Sequence, residues 1–193
     1  MAALPLTTEH LSILPLRTER LSILPLTTAD RDAFVAYRDN PDIARHQGWR
    51  VPYTSEDADR LLANQPTSFP PPPGSWLQLA IHGSSGLLGD LAVHTIADQP
   101  DSYEVGITIA PAVHRTGVGA QALATLLDAL FGCGAHRVTA RSDVHNPAVG
   151  GLLRKVGFKL EGTAREADWQ KGAWQTLQYW GMLRSDREGG GHA

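Results

Sequence analysis

The stretch with the clearest capacity for chemistry is Glu104 to Ala120, EVGITIAPAVHRTGVGA. An alternating apolar run ends at Pro111, a short loop follows, and Gly117-Val118-Gly119 opens an apolar-periodic segment. Such a strand–loop–helix junction leaves N–H groups of the loop and of the first helical turn without intrahelical acceptors. The helix dipole adds partial positive charge there. Glycine lets the backbone close on an anion with no Cβ between them. Phosphate binding is the chemistry these features favour. The pattern is not a Walker loop, because no Gly-Lys-Ser/Thr follows. It also lacks the first glycine of the dinucleotide fingerprint. The plain alternative is a tight strand-to-helix turn that needs glycine for packing.

Other reactive residue types are scattered. The eight histidines show no i, i+4 pair of the kind that ligates zinc, so no metal is expected. Cys133 stands between Gly132 and Gly134 at the end of an apolar segment and reads as a structural thiol. As the single cysteine it excludes an intrachain disulfide, which fits a reducing, cytoplasmic setting. Asp168 and Glu166 lie beside Trp169 and suit a cationic acceptor, or else form a solvated loop.

The elements around these residues follow from periodicity. Leu77, Leu79 and Ile81, then Leu91, Val93 and Thr95, then Val105, Ile107 and Ile109 recur with period two. The turn Gly83-Ser-Ser-Gly86 makes the first two runs a hairpin. From Gly117 the period changes, and Leu123, Leu126, Leu127, Leu130 and Phe131 share one helical face. A strand follows at residues 136–141, a helix at about 146–156 with Val149, Leu152, Leu153 and Val156 inward, and strands from Phe158 and from Leu177 to Leu183. Helices are also expected near residues 30–37, behind Thr27, Thr28 and Asp30 as caps, and 55–64, behind Ser55. Pro66 to Gly74 holds four consecutive prolines and reads as a stiff surface connector, with a lid over a pocket as the alternative. The order of elements gives an α+β fold with a mixed, mostly antiparallel sheet flanked by helices.

The chain has 193 residues, 42% hydrophobic and 19% charged, with a formal net charge of -3. That fits one domain with a real core. It carries no basic face for nucleic acid, no apolar run of about 20 residues for a membrane, and no charged n-region at its start, since the first basic residue is Arg17. The segment from Leu6 to Pro15 is nearly repeated by Leu16 to Pro25. A ten-residue period is too short for a solenoid unit. The second copy is expected to supply the first strand and residues 1–15 an arm or extra strand. The domain then runs over 16–184, with a flexible tail at 185–193.

Four motifs in order resemble the GNAT N-acyltransferase superfamily. Pro111 to Gly119 is similar to its acetyl-CoA motif, and Asn146 to Gly157-Phe158 to its next one. Leu16-Arg-Thr-Glu-Arg-Leu21 and Gly162 to Trp174 are similar to the start and tail of the branch that acetylates N-terminal residues of ribosomal proteins. Three positions depart from the pattern: His114 stands where Arg or Gln is usual, Arg115 where Gly is frequent, and Val149 where many relatives have Ser. The resemblance implies an acetyl-CoA cosubstrate held by His114, Arg115, Thr116, Gly117, Val118, Gly119 and Ala120, with Asn146 contributing. It implies that a bulge in the strand before Pro111 frees Ile107 N–H for the oxyanion, and that Ile109 pairs with the pantetheine arm. Glu104, on the Gly106/Thr108 face, is the first candidate for general base and His94 the second. Tyr179 is a candidate acid toward the thiolate, and Asp168 and Trp169 are candidates for acceptor binding. The implied function is acetyl transfer to a primary amine, a protein N-terminus before a small metabolite or antibiotic, with a non-catalytic acyl-CoA sensor as the third reading. No nucleic acid or membrane partner is implied, and a homodimer is left open.

Overall fold

Ser84 and Ser85 are the whole connection between β3 (Trp76–Gly83) and β4 (Gly86–Thr95), so these strands pair along nearly their full lengths. β5 (Ser102–Ile109) continues the meander against β4. A computed structural model describes residues 13–189. On the outer side of β3 lie β2 (Ser22–Pro25) and the short β1 (Leu16–Arg17), both from the second copy of the repeat. On the far side stand β6 (Arg137–Asp143), β8 (Ala173–Leu183) and β7 (Lys159–Gln170). The described sheet has eight strands in the order β1-β2-β3-β4-β5-β6-β8-β7. Its pairs are antiparallel except β5 with β6.

Helices cover both faces. α4 (Val118–Gly132) lays Leu123, Leu126, Leu127 and Leu130 against Ile23, Leu77, Leu79, Leu91 and Val138, all buried. Burying each such leucine stabilises the fold by about 1.5–3 kcal/mol. Gly134, at φ 101°, ends this helix. α5 (Pro147–Lys155) joins the same layer through Leu153. The opposite face carries α1 (Arg31–Arg38), α2 (Pro41–Ala44) and α3 (Ser55–Ala63), where Phe34, Tyr37, Tyr53 and Ala58 pack on Ala80. β3 is therefore buried on both faces, Gln78 included.

α1 is tied to the sheet by a buried polar cluster. Asp90 of β4 accepts from Tyr37 Oη, from Gln78 Nε2 and from Arg38 Nη2, the last at 3.1 Å. The Arg38 guanidinium stacks at 3.9 Å from the Trp49 ring centroid and 4.1 Å from that of Phe34. Pairing the two charges is what makes their burial tolerable, with Arg38 Nε left buried and, among the described residues, without a hydrogen-bond partner.

Several sequence expectations need correction. Thr54, not Ser55, caps α3, in a reciprocal capping box with Asp57. The proline connector lies at the Thr95 end of β4, where Gly74 N–H donates to Thr95 O at 2.8 Å. It buries Phe69 in the core, which makes it an anchored connector and not a lid. Of the tail expected at 185–193, residues 185–189 belong to α6 (Arg184–Gly189), where Arg187 pairs with Asp128 and Asp186 takes Leu183 N–H at 3.0 Å, and residues 190–193 lie outside the described residues. Most of the 1–15 arm lies outside the described residues, but Ile13 and Leu14 pack against the core.

Candidate active site

β5 and β6 run parallel and pair only over Ser102–Glu104 with Arg137–Thr139. β6 then stays on β8 as far as Asp143↔Leu177, while β5 stays on β4 as far as Ile109↔Gly89. The two strands therefore part from Val105 onward. The opening is a cleft lined by Val105, Gly106 and Ile107 on one side and Ala140 to Asp143 on the other. Leu123 of α4 and Val149 and Leu153 of α5 form its apolar wall.

The backbone of β5 faces this opening at alternate residues. Ala110 N–H donates to Leu88 O on β4 at 2.9 Å. By strand alternation the main-chain groups of Ile109 and Ile107 turn to the other edge, into the gap. Side chains already reach them there: His114 Nε2 lies 2.8 Å from Ile109 O, and Gln47 Nε2 lies 3.5 Å from Ile107 O. The register of β5 on β4 is unbroken from Thr95↔Tyr103 to Gly89↔Ile109. The parting of the strands, and not the expected bulge, is what bares these groups.

The end of the gap meets the glycine loop. Gly117 is the N-cap of α4 at φ 88°, a left-handed conformation that explains glycine there. Arg115 is left-handed too, at φ 63°. The first helical bond runs from Gln121 N–H to Gly117 O at 3.0 Å, so the N–H groups of Val118, Gly119 and Ala120 precede the ladder. Among the described residues no backbone carbonyl takes the N–H of Arg115, Thr116 or Gly117. A Cβ on Gly119 would stand 3.3 Å from Ile109 Cγ1 and 3.7 Å from Ile107 Cδ1, at the edge of the gap. A cradle of free amides that opens toward a strand edge suits a pyrophosphate followed by an amide-bearing arm.

The other nominated residues divide between places. Glu104 accepts from Arg141 Nε at 2.7 Å across the last paired rung of β5 and β6. His94 pairs with Glu104 in register and stacks on Trp76, with ring centroids 4.7 Å apart. Its Nδ1 is buried without a partner. Tyr179 of β8 stands opposite Arg141, one strand removed from the gap, and is 38% exposed. Asp168 and Trp169 are not in a loop but on β7, paired with Gln175 and Trp174. Alternation sends their side chains to opposite faces, so the structure groups Asp168 with Arg141 and Tyr179 but not Trp169. Trp169 and Trp174 form an edge-on pair at 5.2 Å, 58% and 57% exposed. Asn146 caps α5, its Oδ1 accepting from Val149 N–H at 3.4 Å, and lines the cleft mouth. Burial raises the Cys133 thiol above its usual range, in keeping with a structural role.

The sequence reading missed His46, Gln47, Arg141 and Asp143, which all line the cleft. Asn40-Pro41-Asp42 is a legible helix start, with Asn40 Oδ1 accepting from Asp42 N–H at 2.9 Å. It would have placed a helical turn ahead of His46. The tip of the β7–β8 hairpin clamps this segment: Lys171 Nζ donates to Ala44 O and, at 2.8 Å, to Gln47 O. Burial, with Arg50 nearby, lowers the Lys171 ammonium below its usual range.

Comparison with known proteins bears on this geometry. The acetyltransferase (GNAT) domain model matches residues 20–159. An uncharacterised N-acetyltransferase, YoaA of Bacillus subtilis (strain 168), is 25% identical over 147 residues, covering 76% of this chain and 83% of that protein. The spermidine N-acetyltransferase of Vibrio cholerae, solved with CoA and spermine, is similar in fold at a TM-score of 0.73 and 19% identity, covering 88% of this chain and 98% of that one. RimL, a ribosomal alpha-N-protein acetyltransferase solved with coenzyme A, is similar at a TM-score of 0.76 and 15% identity, covering 88% and 97%. Among the described residues no helix is long and apolar enough to cross a membrane. With 140 consecutive positions matched, from Arg20 to Lys159, and the gap and cradle in place, the chain belongs to the GNAT acetyltransferase family.

Proposed function

We propose that this N-acetyltransferase acts on the free amine at the N-terminus of a protein, using acetyl-CoA as acyl donor. The pyrophosphate would sit on the amides of residues 115–120, with the Arg115 side chain adding a charge-assisted contact. The pantetheine arm would lie along the bare edge of β5 and pair with Ile109, displacing the His114 imidazole from its carbonyl. Ile107 N–H would then donate to the acyl oxygen as the amine adds, where a fixed donor is worth about 3–4 kcal/mol. The amine must arrive unprotonated from the α1–α3 face. That face also carries Glu104, Asp168 and Tyr179 around Arg141.

The observation that carries the acceptor class is the exposed Trp169–Trp174 pair at the hairpin tip, beside the clamp on Gln47. The pair lies on the face opposite Asp168 and does not line the cleft, so two indoles left in water suit contact with the body of a protein substrate that extends past the hairpin. A metabolite that filled the cleft alone would not reach them. A small polycation is the second reading, favoured by the carboxylates of Glu104 and Asp168 and by the fold shared with a spermidine enzyme. Release of CoA thiol, measured across peptides with free N-termini, the same peptides N-blocked, and polyamines, separates the two. Turnover of free peptides only is the expected result, and turnover confined to polyamines would overturn the reading.

A further inference from the structure

We propose that His46 and Asp143 are the pair that accepts the proton of the attacking amine. This rests on assigning acetyl transfer to the cleft. His46 follows α2 and Asp143 ends β6, 97 residues apart in sequence, and both line the opening with Ile107. Their side chains are 21% and 10% exposed. His46 Nδ1 lies 3.3 Å from Asp143 Oδ2, and Asp143 Oδ1 takes His145 N–H at 2.8 Å. The carboxylate is thus held by the backbone, and an acid acceptor at Nδ1 assigns the ring hydrogen to that nitrogen. Nε2 is left as the acceptor. The imidazole is held from behind as well, since Lys171 clamps the carbonyls of Ala44 and Gln47 on either side of it.

The competing groups are worse placed. The Glu104 carboxylate is occupied by Arg141, and Glu104 itself sits on the last closed rung of the gap, opposite Thr139. His94 lies beside Glu104 in register, with its ring under Trp76. The charged and titratable groups around His46 are Asp143, Arg141 and His145 from β6 and its following turn, Glu104 from β5, Lys171 from the hairpin, and Arg45 and Arg50 on its own segment.

In the step itself the amine nitrogen bonds to the acyl carbon and its proton passes to His46 Nε2. The C–S bond breaks and its electron pair leaves on the thiolate. The imidazolium then returns the proton to that sulfur, directly or through water, so amide and thiol are the net products.

His46→Gln, Asp143→Asn and Glu104→Gln in the full chain test this. His46→Gln is expected to lower kcat by about 10²-fold or more, to erase the acidic limb of the pH profile, and to keep the acetyl-CoA thermal shift. Asp143→Asn should lose about tenfold or more with the limb retained, and Glu104→Gln should keep the limb. A merely structural tie would lower Tm in His46→Gln and leave the limb in place, and that result, or kcat within about threefold of native, overturns the proposal. Long-range 15N correlation of the His46 ring gives a readout independent of turnover. An Nδ1–H tautomer that Asp143→Asn disperses supports the pair, and an Nε2–H tautomer refutes it. A native chain that turns over no amine would instead overturn acetyl transfer and leave the tautomer to decide the pair.

Discussion

Gly119→Glu puts a carboxylate where the cradle is expected to hold phosphate. Acetyl-CoA at about 100 times its Kd stabilises a native state by about 2.7 kcal/mol, which raises Tm by roughly 5–11 °C for a domain of this size. The Cβ at 119 points at Ile109 and Ile107, the edge on which the arm would lie. A carboxylate about 5 Å from a phosphate charge, at an effective dielectric near 20, costs about 3 kcal/mol. That is a loss of about 10²-fold in affinity, which leaves a shift of only about 1 °C at the same ligand concentration. Differential scanning fluorimetry with and without acetyl-CoA reads the effect. Two controls separate charge from misfolding. Gly119→Ala adds only a Cβ, 3.3 Å from Ile109 Cγ1 and 3.5 Å from Leu152 Cδ2, and gains helix propensity of up to about 1 kcal/mol. It should fold with native Tm. Gly151→Glu adds the same charge to the open face of α5, where nothing lies within 4 Å, and should keep the full shift. An undiminished shift in Gly119→Glu would place the pyrophosphate elsewhere and refute the cradle.

Burial and the neighbouring Asp90 carboxylate raise the Tyr37 phenol above its ordinary range. Its contribution to stability is therefore complete below about pH 10 and falls above it by about 1.4 kcal/mol per pH unit. Urea unfolding between pH 9 and 11 should show a shallower decline in Tyr37→Phe, with the remainder carried by Tyr53 and Tyr103, whose phenols burial raises in the same direction. An unchanged slope would contradict the buried cluster. A truncation beginning at Leu16 should be less stable than one beginning at Ile13 by about 1–3 kcal/mol, through the apolar packing of Ile13 and Leu14. Equal stability of the two would mean that this packing is inconsequential.

Much of this fold is legible in the chain because its signals are local. The leucine stripe of α4, the Gly117 cap, the Ser84-Ser85 turn and the period-two runs of β3 to β5 each depend on residues a few positions apart. β7 is different. Its exposed residues fall on both faces along Lys159–Gln170, so no alternation marks it as a strand. Only its start, after Phe158, is legible in the sequence; the rest exists because β8 offers a ladder, with register shifts between Leu160 and Gly162 and between Ala164 and Asp168. α2 has four residues, too few for any periodicity.

The cleft chemistry was hidden for a related reason. A motif reports the residues that must follow one another, and the cradle is such a case, since the six free amides of residues 115–120 are consecutive. The proton-accepting side is assembled across the gap, by a turn after α2, the end of β6 and the tip of a hairpin. Each contributes a single residue, His46, Asp143 and Lys171, in surroundings that carry no pattern of their own. Asn146 lies between the two cases. Its motif marked it as a cofactor contact, and its side chain holds Val149 N–H and starts α5 at the mouth of the cleft. Losing that cap would cost about 1 kcal/mol, and would also loosen the helix that bears Val149 and Leu153, the wall opposite β5. Such a residue is constrained by the helix it starts, so the type at position 146 is readable from sequence while its place at the cleft requires the fold.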